Sequence, residues 1–436
     1  MPQTGFYGWK LLAAFWVIVF INLAFATYGA SVMNTAMALQ MHLSREYGAT
    51  LFGFYTLMSG VPALFTAVLV RLIGVRRTVM LGSLLVMCGA LAMATVVHDA
   101  LGAIIAFGVI VGLGVATGGP FGVQPGVVQW FVRRRALALA IAYSAGGVGG
   151  LVCAPIFTWI DAHWGTWRAG WWLFAALAAV ATLIAATAIR ERPADLGQLP
   201  DGGAPDGATA QVAGAARPAA GARAQAAFIT REVWSLPELL ASGRFWILVL
   251  ALCGGSAGFT LFLSQGLLHL ADLGHGKMAA ASAYGFATGS TLLGKLALAA
   301  FGDRIDPRYI WAVTMVIFGV GLVLILHARS TLIMYTFALC IGIGFGGGLV
   351  CMMAVLSNYY GVAVFPAAAG LAAALNTAVS FAASPIGGYL YDQTHSYAAT
   401  FYSLALWCFA GALALLLVRP PHRVVRTEAM APTGNA

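Results

Sequence analysis

Uncharged apolar runs of about twenty residues recur along this chain, and each is the length a helix needs to cross about 30 Å of hydrocarbon. A segment buried in lipid must satisfy its backbone donors and acceptors internally, which leaves only helices and closed barrels. A barrel would alternate apolar and polar positions in strands of about ten residues, whereas these runs are apolar on all sides. The pattern therefore predicts an all-α membrane protein. Composition agrees: of 436 residues 61% are hydrophobic and 8% charged, against about 25% charged in a soluble domain.

The runs fall near 9–31, 50–70, 78–97, 101–128, 137–160 and 169–189, and again near 245–268, 279–302, 309–327, 331–356, 366–390 and 398–418. Six plus six predicts twelve transmembrane helices in two bundles, 1–189 and 244–418. Between them, 190–243 holds Glu191-Arg-Pro, Asp201-Gly-Gly-Ala-Pro-Asp-Gly and an Ala/Gly/Arg-rich tract, too polar or too simple to pack a core, and reads as a mostly disordered cytoplasmic linker. Ser235-Leu-Pro-Glu within it reads as a helix start with an early Pro, suited to a short amphipathic helix on the membrane. Residues 419–436 read as a cytoplasmic tail. The first run exceeds the core of a signal peptide and is expected to remain as the first span.

Charge then sets the orientation. With both termini placed in the cytoplasm, all but five of the 23 Lys and Arg residues lie on the cytoplasmic side; Arg45, Arg168, Lys277 and Arg329 lie outside and Lys295 lies within a span. Such an excess is the positive-inside signature, so the net charge of +9 reports topology and no nucleic-acid partner is expected. A multi-pass protein of the cytoplasmic (inner) membrane follows, bathed in membrane lipids and expected to be a monomer. The six cysteines, all in apolar runs without metal-ligand spacing, read as small hydrophobes. There is no P-loop and no zinc-binding helix motif. No metal, cofactor or enzymatic activity is expected.

Gly112-Leu-Gly-Val, followed by Trp130-Phe131, is echoed by Gly342-Ile-Gly-Phe, followed by Tyr359-Tyr360. Internal repeats of this kind build two rocking halves around a midplane site. Glycine runs such as Gly146-Gly-Val-Gly-Gly suit close helix approach.

Lys295 is the only formal charge well inside a span. Eight residues separate it from Asp303, placing its stem about 12 Å deep. An intramembrane charge costs at least about 2.5 kcal/mol, so it normally faces a watery path and serves a substrate or ion. No intramembrane carboxylate exists to pair with it. An unpaired cation favours an anionic substrate, and one charge suits one carboxylate. Thr291, one turn earlier, could bond that substrate or bond back to its own helix. Gln124, Tyr28, Tyr143, Asn376, Thr377 and Ser380 are the other polar candidates, serving either substrate or helix contacts. With no carboxylate relay, coupling falls to a lysine that accepts a proton as the anion arrives, giving proton symport or anion exchange.

Tyr7-Gly-Trp, Trp130-Phe-Val-Arg-Arg-Arg-Ala, Gly165-Thr-Trp-Arg, Glu191-Arg-Pro-Ala-Asp-Leu-Gly, Gly243-Arg-Phe-Trp and Pro385-Ile-Gly-Gly-Tyr-Leu-Tyr-Asp with Ser396-Tyr397 resemble the monocarboxylate and oxalate/formate branch of the major facilitator superfamily. The resemblance covers the chain apart from the linker and tail. It implies a secondary transporter that alternates access to a central carboxylate site, with Lys295 where that branch usually carries an Arg before an Asp-Arg pair, here Asp303-Arg304. Thr377 stands where dicarboxylate exchangers carry a second basic group, which favours a monovalent substrate. The superfamily's loop signature is present in worn form, as Ala299 to Asp303-Arg304 and as Ala67 to Arg71, Gly74 and Arg76-Arg77. An Asp at the place of Arg71 ordinarily latches the outward-open state, so Arg71, Arg76, Arg135, Asp303 and Arg304 are candidate gating residues, Arg71 alternatively being a plain inside-positive anchor. The other reading is an exporter of an amphiphilic compound, with a roomier pocket lined by Met352, Met353 and Phe262.

Overall fold

The computed structural model describes residues 6–132, 134–202, 234–301 and 305–418, and every regular element among them is helical. α1 is Gly8–Gln40. α2 begins as Arg45–Gly60 and resumes in the stretch Ala63–Thr95, which Gly74 (φ 85°) divides into the end of α2 and the whole of α3. α4 is Ala100–Trp130, α5 Arg135–Trp164, α6 Trp167–Ala188, α7 Gly243–Asp272, α8 Lys277–Phe301 and α9 Pro307–Ile325. Gly361 (φ 78°) divides the long stretch Thr331–Thr394 into α10 and α11. α12 is Ala398–Leu417. At both dividing glycines the left-handed backbone would strain any residue with a Cβ.

Ten of the described helices are long and apolar enough to cross a membrane. α8 stands outside that set because Lys277, Ser282, Thr288, Ser290, Thr291 and Lys295 dilute it. On the face away from the termini the helices start on polar caps: Ser44 accepts from the Tyr47 amide, Asp99 from Gly102, Thr166 from Arg168 and Ser330 from Ile333. Each cap satisfies an amide that the first helical turn leaves open.

Glycine sets how the rods pack. In the first half, Gly108 and Gly112 of α4 lie against Leu51, Phe54, Tyr55 and Met58 of α2, and Gly114 and Gly118 against Gly82 and Val86 of α3. In the second half, Gly342 and Gly346 of α10 lie against Ala287, Ser290 and Thr291 of α8, and Gly344 against Phe318 of α9. The two glycine motifs echoed in sequence thus do the same work in corresponding helices. Between the halves, Gly150 of α5 meets Thr288 of α8, and Gly53 and Gly60 of α2 meet Phe381 and Thr377 of α11. Small residues let backbones approach where dispersion is the main attraction available in lipid.

Buried polar groups tie the first half together. Asn22 Nδ2 donates to Ser83 Oγ at 2.8 Å and to the Gly118 carbonyl at 2.9 Å, joining α1, α3 and α4. Replacing Asn22 with Leu is expected to destabilise the fold by about 1 kcal/mol, the scale of such bonds in membranes, read as an earlier midpoint in a reversible detergent-unfolding titration. An unchanged midpoint would remove the bond from the account.

The linker departs in part from its expected disorder. Residues 203–233 lie outside the described residues, but what flanks them is folded onto the helices. The Tyr7 amide donates to Gln198 Oε1, the Val132 amide to Asp201 Oδ2, and Trp130 Nε1 to the Arg190 carbonyl. These polar residues find partners at helix ends that composition cannot reveal. The short helix after the gap, Leu236–Ala241, starts on Ser235, whose amide and hydroxyl bond Glu238. Its Leu239 is buried against protein.

Candidate functional site

α5 and α8 run antiparallel across the boundary between the halves. Thr288 of α8 packs on Gly150 of α5, and Leu292 on Gly147. From that pair, three residues onward along α8 is Lys295 and four residues back along α5 is Tyr143, steps of about 4.5 and 6 Å in the same direction. Lys295 and Tyr143 therefore lie at one level on facing helices. Both are half-buried, and neither has a hydrogen bond or ion pair among the described residues. Six residues, about 9 Å, separate Lys295 from the end of α8 at Phe301. Because Cα–Cβ bonds tilt toward a helix N-terminus, its stem leans back toward the middle of the molecule.

Asn376 of α11 stands at matching depth: it lies eighteen residues from Thr394, as Lys295 does from Lys277, about 27 Å in each helix. Asn376 Oδ1 and, one turn along, Ser380 Oγ are buried without a hydrogen-bond partner. Buried polar atoms left open in this way are where a bound molecule or water makes its contacts. Thr291 and Thr377 are placed differently. The Thr291 hydroxyl donates to the Thr288 carbonyl at 2.8 Å and the residue packs on Gly346, and the Thr377 hydroxyl donates to the Ala373 carbonyl at 2.9 Å beside Gly60. Gln124 is half-buried on α4, on the side away from Gly122 and Gly126, which pack on α3 and α1.

Tyr28 belongs to a separate layer. It lies in a π-helical stretch of α1, Phe20–Gly29, beside Tyr284 of α8, and Tyr284 is eleven residues, about 16 Å, from Lys295. The Tyr284 hydroxyl bonds Ser31 Oγ of α1 at 2.6 Å, and Tyr55 bonds Thr27 at 2.6 Å. This tyrosine cluster, unseen in sequence except for Tyr28, forms a roof on the side of Lys295 away from the termini.

Above the roof the halves are bonded to each other. Asp392 of α11 accepts the Arg45 and Glu46 amides at 3.1 and 2.9 Å, capping α2 from the opposite half. Arg45 pairs with Asp272 at 2.8 Å, Tyr391 donates to Asp272, Gln265 donates to the Arg45 carbonyl, and Lys277 pairs with Asp161 at 2.9 Å. The ion pairs and helix caps just described all lie on the face away from the termini. The structure is closed on the face away from the termini.

The sequence pattern of the Major Facilitator Superfamily matches residues 15–299 and 278–434. The chain belongs to the major facilitator superfamily. It is a multi-pass membrane transporter and not an enzyme. Among curated proteins it is similar to bovine (Bos taurus) monocarboxylate transporter 13, at 25% identity over 97% of this chain and 91% of that one. Two solved structures share the fold: a mutant of the peptide transporter POT (TM-score 0.70, 15% identity, 96% of each chain) and a mutant of the nucleoside transporter NupG (TM-score 0.69, 12% identity, 93% of this chain and 99% of that one).

Where the superfamily's loop signature ordinarily places an Asp, Arg71 is exposed on α2. Asp303 and Arg304 lie outside the described residues. The negative charge at this loop comes from Glu191, whose carboxylate accepts the Val75 and Arg76 amides at 2.9 Å each and caps α3. Gly74 lies directly under it, since a Cβ there would stand 2.6 Å from Glu191 Oε1. Arg76 bonds the Ala186 carbonyl, and Arg135 is exposed at the start of α5. Phe262 and Met352 are wholly buried in the second half, Phe262 stacking on Tyr284 at 5.1 Å, so neither lines an open pocket.

Proposed function

We propose that this transporter moves a small organic anion, a monocarboxylate, across the cytoplasmic membrane by alternating access, with both ends of the chain on the cytoplasmic side. The observation that carries the reading is Lys295: a half-buried cation without a counter-ion among the described residues, level with Tyr143 on the helix across the boundary of the halves. A carboxylate arriving there would neutralise the amine and accept the tyrosine hydroxyl, and an amide such as Asn376 could orient the rest of the molecule. A cation would be repelled. The likeness to a protein named a monocarboxylate transporter supports the same class, and the excess of Lys and Arg on the face bearing the termini supports the orientation. Because Lys295 exchanges one proton, electroneutral proton symport or anion exchange follows.

A competition screen in proteoliposomes tests the class. Short monocarboxylates should displace a labelled monocarboxylate at least tenfold more effectively than dicarboxylates, and neutral or cationic amphiphiles should not compete. Equal competition by the amphiphiles would replace the anion reading with that of an amphiphile exporter.

A further inference from the structure

On the face bearing the termini, where α2 turns into α3, a cavity of about 800 Å³ is lined by Arg71, Arg76, Arg77, Arg192, Gln129 and Glu191 among others. Glu191 is its one carboxylate, and both oxygens are occupied by backbone amides. Arg76 is bonded to the Ala186 carbonyl, while Arg71, Arg77 and Arg192 make no ion pair among the described residues. Guanidinium groups converging on one hollow repel each other unless an anion joins them. We propose that this cavity binds a phosphate group, supplied as the headgroup of an anionic phospholipid.

The chemistry separates this cavity from the transport path. A monocarboxylate is balanced by the single charge of Lys295, whereas several unpaired guanidiniums match a phosphate, whose oxygens accept bidentate forks. Position supplies the lipid. Arg71 lies one turn before the break at Gly74 and Arg76 and Arg77 open α3, so the cavity sits at the end of two membrane-crossing rods, at headgroup depth. Next to it along α2, Phe65, Val68 and Leu72 are 69%, 51% and 75% exposed, an apolar surface on which acyl chains can lie. A phosphate free in solution would make no use of that surface.

The test uses the full-length protein purified in a neutral detergent, titrated separately with phosphatidic acid, phosphatidylcholine and inorganic pyrophosphate. The readouts are the melting midpoint from tryptophan fluorescence and lipid retained in native mass spectrometry. Phosphatidic acid should raise the midpoint saturably and remain bound at about one molecule per chain, with phosphatidylcholine giving neither effect. R71Q/R77Q should weaken that binding at least tenfold, and R192Q by a smaller factor that guards against a misfolded double variant. Equal retention of phosphatidylcholine and phosphatidic acid, or unaltered binding by both variants, would overturn the proposal. Pyrophosphate displacing the lipid while stabilising the protein as strongly would overturn the lipid source and leave a soluble-phosphate site.

Discussion

Replacing Lys295 with Gln should lower monocarboxylate uptake into proteoliposomes by roughly 100-fold or more. Removing one partner from a buried ion pair costs about 3–5 kcal/mol, mostly because the other charge is left buried and alone, and each 1.4 kcal/mol is a factor of about ten. The structure supplies no substitute: no other cation lies within the described part of α8 between Lys277 and Lys295. K295R separates the two tasks assigned to the residue. A guanidinium keeps the charge but holds its proton at any physiological pH, so binding should survive in part while the pH dependence of uptake flattens. Uptake and pH response identical to wild type in K295Q would sink the anion reading.

Breaking the closure on the opposite face should shift the protein toward the state open on that side. Asp392 is the residue to remove, since it accepts two amides of α2 from the other half, with Arg45 and Asp272 paired beside it. These groups are partly exposed, with Asp272 at 33%, so solvent screening reduces their worth. A joint contribution of about 1–2 kcal/mol remains reasonable for charge-assisted bonds at a helix N-terminus. D272A/D392A should then raise the population of the alternative state about 5- to 30-fold. Asn34, buried on α1 with both polar atoms unpartnered, is the reporter. As N34C in a C88S background, it should react correspondingly faster with a maleimide added from that face. Labelling no faster than in the parent would show that the closure rests on packing, principally of α2 on α11 and α5 on α8.

Pseudo-symmetry gives the closure its physical sense. The α2–α11 and α5–α8 contacts are equivalent in the two halves, and both are built on glycines that let the helices meet closely. A Cβ added at Gly150 would stand 2.6 Å from the Thr288 hydroxyl, and one added at Gly147, a turn nearer the termini, 3.9 Å from Leu292.

Hydrophobic run length was enough to establish the helical membrane fold, because a buried backbone in lipid has almost no alternative. Sequence also singled out Lys295, since one charge among hundreds of apolar atoms stands out whatever surrounds it. It named Tyr143 and Asn376 only as members of a wider polar set, and the register of α5 against α8 was needed to set Tyr143 level with Lys295. Thr291, adjacent on a helical wheel, turned its hydroxyl to the Thr288 carbonyl, a choice a hydroxyl makes from its local backbone and neighbours. Glu191, Asp392 and Tyr284 drew no attention as functional residues because their partners lie 115, 346 and 253 positions away. Composition records what a chain must hide from water or lipid. Which polar groups meet across the halves is decided only when the helices pack.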